Sequence, residues 1–382
     1  MKPRYLVITE LFLPTKGGTA VWFDEVYRRL GDRSTHILTA QVPDCEAHDR
    51  DHANTVHRLN LNHSRWLRPA SLPIYSKLFF KGLILGMRHR FDAIHAGRVL
   101  PEGWVAVLLG RILRLPVVIY AHGEEITTWR RSPRRLKAMT YAYRAAERVV
   151  ANSDFTRERL LELGVKPERV ALINPGVDLE RFHPNYETSD LLGSLGLTAE
   201  QKLILSVGRL SRRKGFDQVI GSLPDLLAKG LDVHYAIIGI GEDHDYLLDL
   251  AGELGVLERV HLLGHVPPDD LPRCYCAADL FAMPNREIDG DTEGFGMVFV
   301  EAAACGTPSL AGEAGGTGAA VIHEQTGLRV DGGESEEVTR ALARLLDDDG
   351  LRLRLAEVAQ HRACSELGWD RVAELTQGLA SK

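Results

Sequence analysis

Cysteine is scarce in this sequence. The five present (Cys45, Cys274, Cys276, Cys305 and Cys364) are odd in number and form no Cys-x-x-Cys pair. This argues against a disulfide framework and fits the reduced thiols of a cytoplasmic protein. Cys274 and Cys276 flank Tyr275 where a helix reads as entering a strand, and no His/Cys cluster completes a metal site around them. No apolar run approaches the ~18–20 residues that a bilayer span requires. The N-terminal "MKPRYLVITELFLP" alternates like a strand, contains Glu10 and lacks a small-residue cleavage site, so it does not read as a signal peptide. No GxGxxG fingerprint follows the first strand candidate, which disfavours a dinucleotide site.

Acidic side chains are thin in one half and basic ones in the other. Residues 1–180 carry 28 Lys+Arg against 19 Asp+Glu, and residues 181–382 carry 18 against 33. Residues 51–150 alone hold 17 basic and 6 acidic side chains. Such a basic half implies an anionic partner, either nucleic acid or a membrane face. Nucleic acid is set aside, because no aromatic-rich strand platform or known module accompanies the charge. Two segments, 64–91 and 129–148, mix basic and apolar residues and could lie on an anionic leaflet with their cations snorkelling. The alternative, ordinary surface helices packed on a sheet, stays open.

What is present is alternation of strand and helix. Strand candidates fall at 4–9, 34–40, 91–96, 116–122, 148–153 and 169–176, then at 202–210, 233–241, 259–266, 278–284, 307–312 and 326–330. Between them lie amphipathic stretches, such as the one with Val21, Trp22, Val26 and Leu30 at helical spacing. The pattern predicts an α/β protein with parallel sheets covered on both faces. At 382 residues, two doubly wound domains are expected rather than one large sheet. Periodicity lapses near 174–197, giving an N-terminal domain over 1–183 and a C-terminal domain over 184–360. Residues 361–382 form a terminal helix that could cross back to the first domain. Ligands of open parallel sheets sit at the carboxyl ends of strands, so two facing sheets would hold a substrate in a cleft.

Several motifs lie at those strand ends. Gly17 and Gly18 follow the first strand and open a helix, where backbone N–H groups can meet an anion. Arg209 and Lys214 lie in a turn before a helix, suited to a diphosphate whose charge grows as a bond breaks. Arg212 and Arg213 between them read as solvated. His122 follows an apolar strand and could bond either a substrate hydroxyl or a core carbonyl. Gly239 and Gly241 allow close backbone approach, while Glu242 and Asp243 read as caps of the next helix. In "DGDTEGFGMVFVEAAACG", Glu293 sits in a loop and Glu301 about one turn into a helix starting near Met297. Two carboxylates on separate elements can accept hydrogen bonds from different hydroxyls of one polyol. Gly294 and Gly296 leave backbone N–H groups beside it.

Together these residues resemble the retaining family 4 glycosyltransferases of the two-Rossmann GT-B fold. The likeness rests on the Glu-x7-Glu stretch "EGFGMVFVE" (293–301), the Gly-Gly loop, "HGEE" (122–125), "NPGVD" (174–178), "VGRL…KG" (207–215), "GIGE" (239–242), "LLGHV" (262–266) and "ADLFAMPN" (278–285). The long loop before Glu293 is closest in pattern to bacterial phosphatidylinositol mannoside mannosyltransferases and polysaccharide-assembly relatives. Asn285 stands where the family usually has Ser.

The resemblance implies a catalytic set of Glu293, Arg209, Lys214 and His122. It implies that Arg209 and Lys214 grip the donor diphosphate and that Glu293 contacts sugar hydroxyls. Phe295, Gly296, Met297 and Val298 would lie beside sugar and phosphate, with Glu301 on the ribose. Gly17, Gly18, Gly239, Gly241, Val266 and Gly294 complete the implied donor site, and His122 lies by the donor sugar. The implied donor is a UDP- or GDP-hexose and the acceptor a lipid-linked or saccharide hydroxyl, with no cofactor and no metal. Asp289 and Asp291 imitate a DxD metal motif that belongs to the other large glycosyltransferase fold, and read as loop or acceptor residues. A nucleotide-sugar epimerase and a catalytically silent sugar-nucleotide binder are the competing readings. The expected location is cytoplasmic, with peripheral contact at the inner face of the cell membrane.

Overall fold

A computed structural model describes residues 3–62, 71–130, 132–198 and 200–379. The chain divides into two compact units, one of residues 1–175 with 369–382, the other of residues 176–368. Each unit holds one all-parallel sheet.

In unit 1 the strands are β1 (Tyr5–Ile8), β2 (His36–Ala40), β3 (Thr55–Leu59), β4 (Ala93–Ala96), β5 (Val117–Ala121), β6 (Arg148–Ala151) and β7 (Val170–Leu172). Their order across the sheet is β3-β2-β1-β4-β5-β6-β7. The central strands are short, fully buried apolar runs, as "YLVI" in β1 and "VVIYA" in β5. Such runs need helices on both faces. These are α1 (Gly18–Leu30), α2 (Cys45–Asp51), α3 (Leu72–Arg88), α4 (Trp104–Leu113), α5 (Glu124–Trp129), α6 (Pro133–Ala145) and α7 (Asp154–Glu162). α3 lies close on α4 because Gly82 and Gly86 carry no side chain where Leu109 and Leu113 press in. Residues 64–70 and Arg131 of the two basic-apolar segments lie outside the described residues.

Unit 2 repeats the plan. Its strands are β8 (Lys202–Val207), β9 (Val233–Ile238), β10 (Val260–Gly264), β11 (Leu280–Met283), β12 (Ser309–Gly312) and β13 (Gly327–Val330), in the order β10-β9-β8-β11-β12-β13. The helices are α8 (Ser189–Ser194), α9 (Phe216–Ala228), α10 (His244–Glu253), α11 (Leu271–Ala277), α12 (Met297–Ala304), α13 (Ser335–Asp347) and α14 (Asp349–Glu366). The last helix, α15 (Trp369–Gly378), belongs to unit 1 and packs on α1, with Trp369, Val372 and Ala373 buried. Arg29 Nε donates to Asp370 Oδ1 at 2.7 Å across that contact.

Both sheets therefore follow the doubly wound order in which chain direction reverses once. The switch points lie between β1 and β4 in unit 1, and between β8 and β11 in unit 2. Of the six strand candidates in each half, all recur, while β3 has no counterpart among them.

Candidate functional site

At the switch point of unit 2, the turn after β8 meets the loop after β11. Gly215, in the left-handed region at φ 75°, lets the turn lie where a β-carbon would sit 2.1 Å from Pro284 O. Arg286 N–H donates to Arg213 O at 2.9 Å, and Arg286 Nη2 pairs with Asp217 Oδ2 at 2.7 Å. Asn285 is buried and clips β11 to the turn after β12. Its Nδ2 donates to Ala314 O at 2.9 Å and its Oδ1 accepts from Gly312 N–H at 3.2 Å. One amide thus ties the loop after β11 to the turn after β12 by both its ends.

Beyond Arg286 the chain makes a tight hairpin. Ile288 and Asp291 exchange backbone hydrogen bonds of 3.0 and 2.9 Å around Asp289 (φ 56°) and Gly290 (φ 82°). Positive φ at both central residues marks a type I′ turn, for which Asp-Gly is a preferred pair. Asp291 Oδ2 lies 3.3 Å from Arg213 Nε, so this carboxylate already has a cation.

Glu293 follows the hairpin, its side chain 15 % exposed. Lys214 Nζ lies 2.6 Å and Arg213 Nη1 3.0 Å from the same atom, Oε2. Burial by itself would raise the Glu293 pKa, but the two cations overcome it and hold the carboxyl at about 2. Glu293 O also accepts from Gly316 N–H at 2.7 Å, which fixes the backbone.

After the Gly294–Gly296 corner, α12 begins at Met297, as read from sequence. The first N–H groups of a helix lack partners within it, and here they belong to Met297 and Val298 at the edge of that corner. Phe295 is buried in the core. Glu301 accepts from Tyr275 OH at 2.8 Å through Oε2, and its pKa is raised by burial, against the lowering effect of Tyr275 and Arg181.

Arg209 stands apart from this group. Its side chain is 74 % exposed and pairs with Glu242 Oε2 at 2.9 Å. Neither Glu242 nor Asp243 caps α10 with its side chain; Asp243 instead faces Arg212 Nε at 3.4 Å. These acids are thus counter-ions of the basic turn, not the helix caps expected. Arg212 lies over the Tyr246 ring on the solvent side. Arg213 is only 16 % exposed and faces two carboxylates, so the solvated role read for it does not hold. Its burial depends on the hairpin folding over it, which no local pattern reveals. Gly239 and Gly241 end β9 against the β8 turn. A β-carbon on Gly239 would lie 1.8 Å from Gly208 O. Val266 follows β10 and lines a recess of about 360 Å³ with Leu263, His265 and Arg273.

In unit 1, Gly17 precedes α1 at φ 130°, and the space where its β-carbon would be is open. Gly18 begins the helix. His122, after β5, is buried with Nε2 2.8 Å from Gly97 O, the core-carbonyl option. Because a carbonyl only accepts, Nε2 is the donor in that bond. The Trp22 ring stands edge-on to it at 5.9 Å. Glu102, which no motif flagged, accepts from Glu10 N–H at 3.0 Å and is fully buried. Burial, with Glu10 adding to it, pushes its pKa up to about 7.

Among the described residues, one His/Asp group could hold a metal ion: Asp24, His48 and His52 in unit 1. His52 Nδ1 accepts from Asn54 N–H at 3.1 Å, which leaves the ring proton on Nε2, facing Asp24 Oδ1 at 3.2 Å. His48 Nε2 lies 2.8 Å from the same oxygen and its Nδ1 3.3 Å from Asp49. With both nitrogens on carboxylates and its pKa raised by Asp24, His48 reads as a cation, and the group as an ion cluster.

The geometry defines a two-Rossmann protein whose C-terminal unit gathers cations, acids and a helix N-terminus at its switch point. Comparison with known proteins agrees. Residues 16–181 match the model of Glycosyltransferase Family 4, and residues 189–362 that of Glycosyl transferases group 1. The chain is 30% identical over 382 residues to the GDP-mannose-dependent alpha-(1-6)-phosphatidylinositol monomannoside mannosyltransferase of Mycolicibacterium smegmatis, covering 98% of each chain. A GDP-mannose-dependent monoacylated alpha-(1-6)-phosphatidylinositol monomannoside mannosyltransferase of Corynebacterium glutamicum is 28% identical, with 99% of this chain and 98% of that one covered. The crystal structure of HepE from Anabaena in complex with UDP superimposes with a TM-score of 0.84 at 23% identity, over 99% of this chain and 100% of that one. The chain belongs to the family 4 glycosyltransferases and has their GT-B fold. It is a glycosyltransferase.

Proposed function

We propose that the chain transfers a hexosyl group from a GDP- or UDP-linked sugar to a hydroxyl of a lipid-linked or saccharide acceptor, with retention at the anomeric carbon and without a metal ion. The observation that carries this reading is the Lys214–Glu293–Arg213 cluster at the switch point of unit 2. A carboxylate held ionised beside two cations can take hydrogen bonds from sugar hydroxyls while the lysine, on its flexible stem, meets the departing diphosphate. Arg209 joins them once it leaves the exposed Glu242, a pair of little strength in water. Glu301 reads the ribose, and Gly17, Gly18 and His122 lie by phosphate, acceptor and donor sugar. Attack comes from the face the leaving group vacates, and a phosphate oxygen takes the acceptor's proton. The named mannosyltransferase relatives favour GDP-mannose and an inositol-phospholipid glycan acceptor.

Three helices of unit 1 favour a membrane-borne acceptor. α3, α4 and α6 together hold eight Lys or Arg and no Asp or Glu. Phe80, Ile84 and Met87 on α3, and Leu108 and Ile112 on α4, are exposed beside them. An apolar stripe with a cationic border suits the inner, anionic leaflet. No described helix is long and apolar enough to cross a membrane.

The test is incubation with GDP-mannose or UDP-glucose and mannosylated phosphatidylinositol, in EDTA, with NMR of the product. An α-linked glycoside from an α-linked donor supports the reading. An inverted product, or a turnover that EDTA abolishes and a divalent ion restores, overturns its finer terms.

A further inference from the structure

Glu293 carries more counter-charge than one carboxylate needs. Lys214 and Arg213 converge on its Oε2 at 2.6 and 3.0 Å, and all three side chains are mostly buried. The two cations differ in how they are held. Arg213 donates a hydrogen bond to Glu293 from Nη1, has the half-exposed Asp291 carboxylate as an ion-pair neighbour 3.3 Å from Nε, and its carbonyl is bonded by Arg286. A planar guanidinium facing two carboxylates is a rigid bridge, whereas a lysine ammonium is a point charge on a flexible stem. The Asp289–Gly290 hairpin brings Asp291 to that bridge.

We propose that Arg213 is a positioning residue for donor binding: it keeps Glu293 paired when Lys214 turns from that carboxylate to the incoming diphosphate, with Asp291 holding Arg213 in place. This inference rests on the nucleotide-sugar reading given above. Its physical basis is the penalty for a buried charge left alone. Removing one partner of a buried pair is strongly unfavourable. Without Arg213, a lysine that moved to the phosphates would strand Glu293, so lysine and carboxylate would stay together and the diphosphate would lose its cation. With Arg213 present, the lysine is exchangeable. Asp291 tunes the exchange, because its negative charge 3.3 Å from Nε favours leaving the guanidinium where it is.

The experiment is calorimetric titration of the whole protein with GDP and UDP, with GMP and UMP as controls, comparing wild type, R213Q, E293Q and R213Q/E293Q. In wild type the preferred diphosphate binds more tightly than its monophosphate; if neither diphosphate binds, the nucleotide-sugar reading itself fails. In R213Q the diphosphate Kd rises about tenfold or more, while the monophosphate Kd stays within twofold. In E293Q the lysine has no carboxylate to leave, so diphosphate affinity is equal to or above wild type and adding R213Q costs nothing further. D291N weakens diphosphate binding in the same direction by a smaller factor, and it carries the comparison should R213Q not fold. Wild-type diphosphate affinity in both R213Q and D291N overturns the proposal. So does an R213Q loss that persists undiminished in the E293Q background, which would put Arg213 on the phosphates directly.

Discussion

Lys214 and Arg209 were read alike, as cations suited to a diphosphate, from their spacing after a strand, yet they occupy opposite situations. Lys214 is buried on Glu293, and Arg209 is in water beside Glu242. Lys214→Ala should lower turnover by roughly two to three orders of magnitude, the range for removing one preorganised donor from a reacting charge. Steady-state rates within tenfold of wild type would remove the clamp. Glu293 also leaves a mark on stability. Its folded pKa of about 2 lies below the ordinary 4.5, so its contribution is complete above pH ~4.5 and lost as pH falls toward 2. Urea unfolding of wild type and E293Q should therefore show a gap at pH 7 that narrows at pH 3. A constant gap would mean the ion pairs do not stabilise the fold. Arg213 was illegible because its role comes from Asp291 and Glu293, about eighty positions away in sequence.

At the scale of elements, most strands of unit 2 were readable because they are short buried runs, and the half-buried edge strand β10 was readable because it keeps the apolar pair Leu262–Leu263. β3 was missed for a physical reason. "TVHRL" is an edge strand, half-buried throughout, and its His57 and Arg58 break the apolar signal that central strands show. The turn after β9 was read only as a place of close approach, and the structure shows what approaches. At Gly239 the intruder is Gly208 O, and the backbone has a φ of 151°. Gly239→Ala should destabilise the protein by about 2–3 kcal/mol or more, because strain and steric overlap add. An unfolding midpoint equal to wild type would show that the loops can part.

For the whole molecule, charge is divided as sharply as the fold is repeated. One doubly wound plan is used twice, once with a surplus of cations and once with a surplus of acids. The basic helices of unit 1 predict flotation with vesicles containing anionic phospholipid at low salt. R111E/K137E/R144E, which reverses charge on α4 and α6, should abolish it without changing the thermal midpoint by more than a few degrees. Equal flotation of both proteins would remove these helices from the contact, and flotation of neither would remove the membrane contact itself. Sequence reading reached the charge division and, within 64–91, the α3 part of the apolar stripe, but not its α4 part, since Leu108 and Ile112 look the same in a list of letters as their buried neighbours Val105 and Leu109.

The position of α15 bears on any attempt to take the protein apart. The polypeptide leaves unit 1 after Pro175 and comes home at Trp369, and the outgoing and homecoming segments are joined where Val177 N–H donates to Leu367 O at 2.7 Å. A gene fragment ending at 175 would lack the cover for α1 and present bare hydrocarbon to water. One stretching from 176 to the last residue would drag along a helix with nowhere to dock. Only a fragment pair that splices 369–382 back onto 1–175 respects the seams of the molecule.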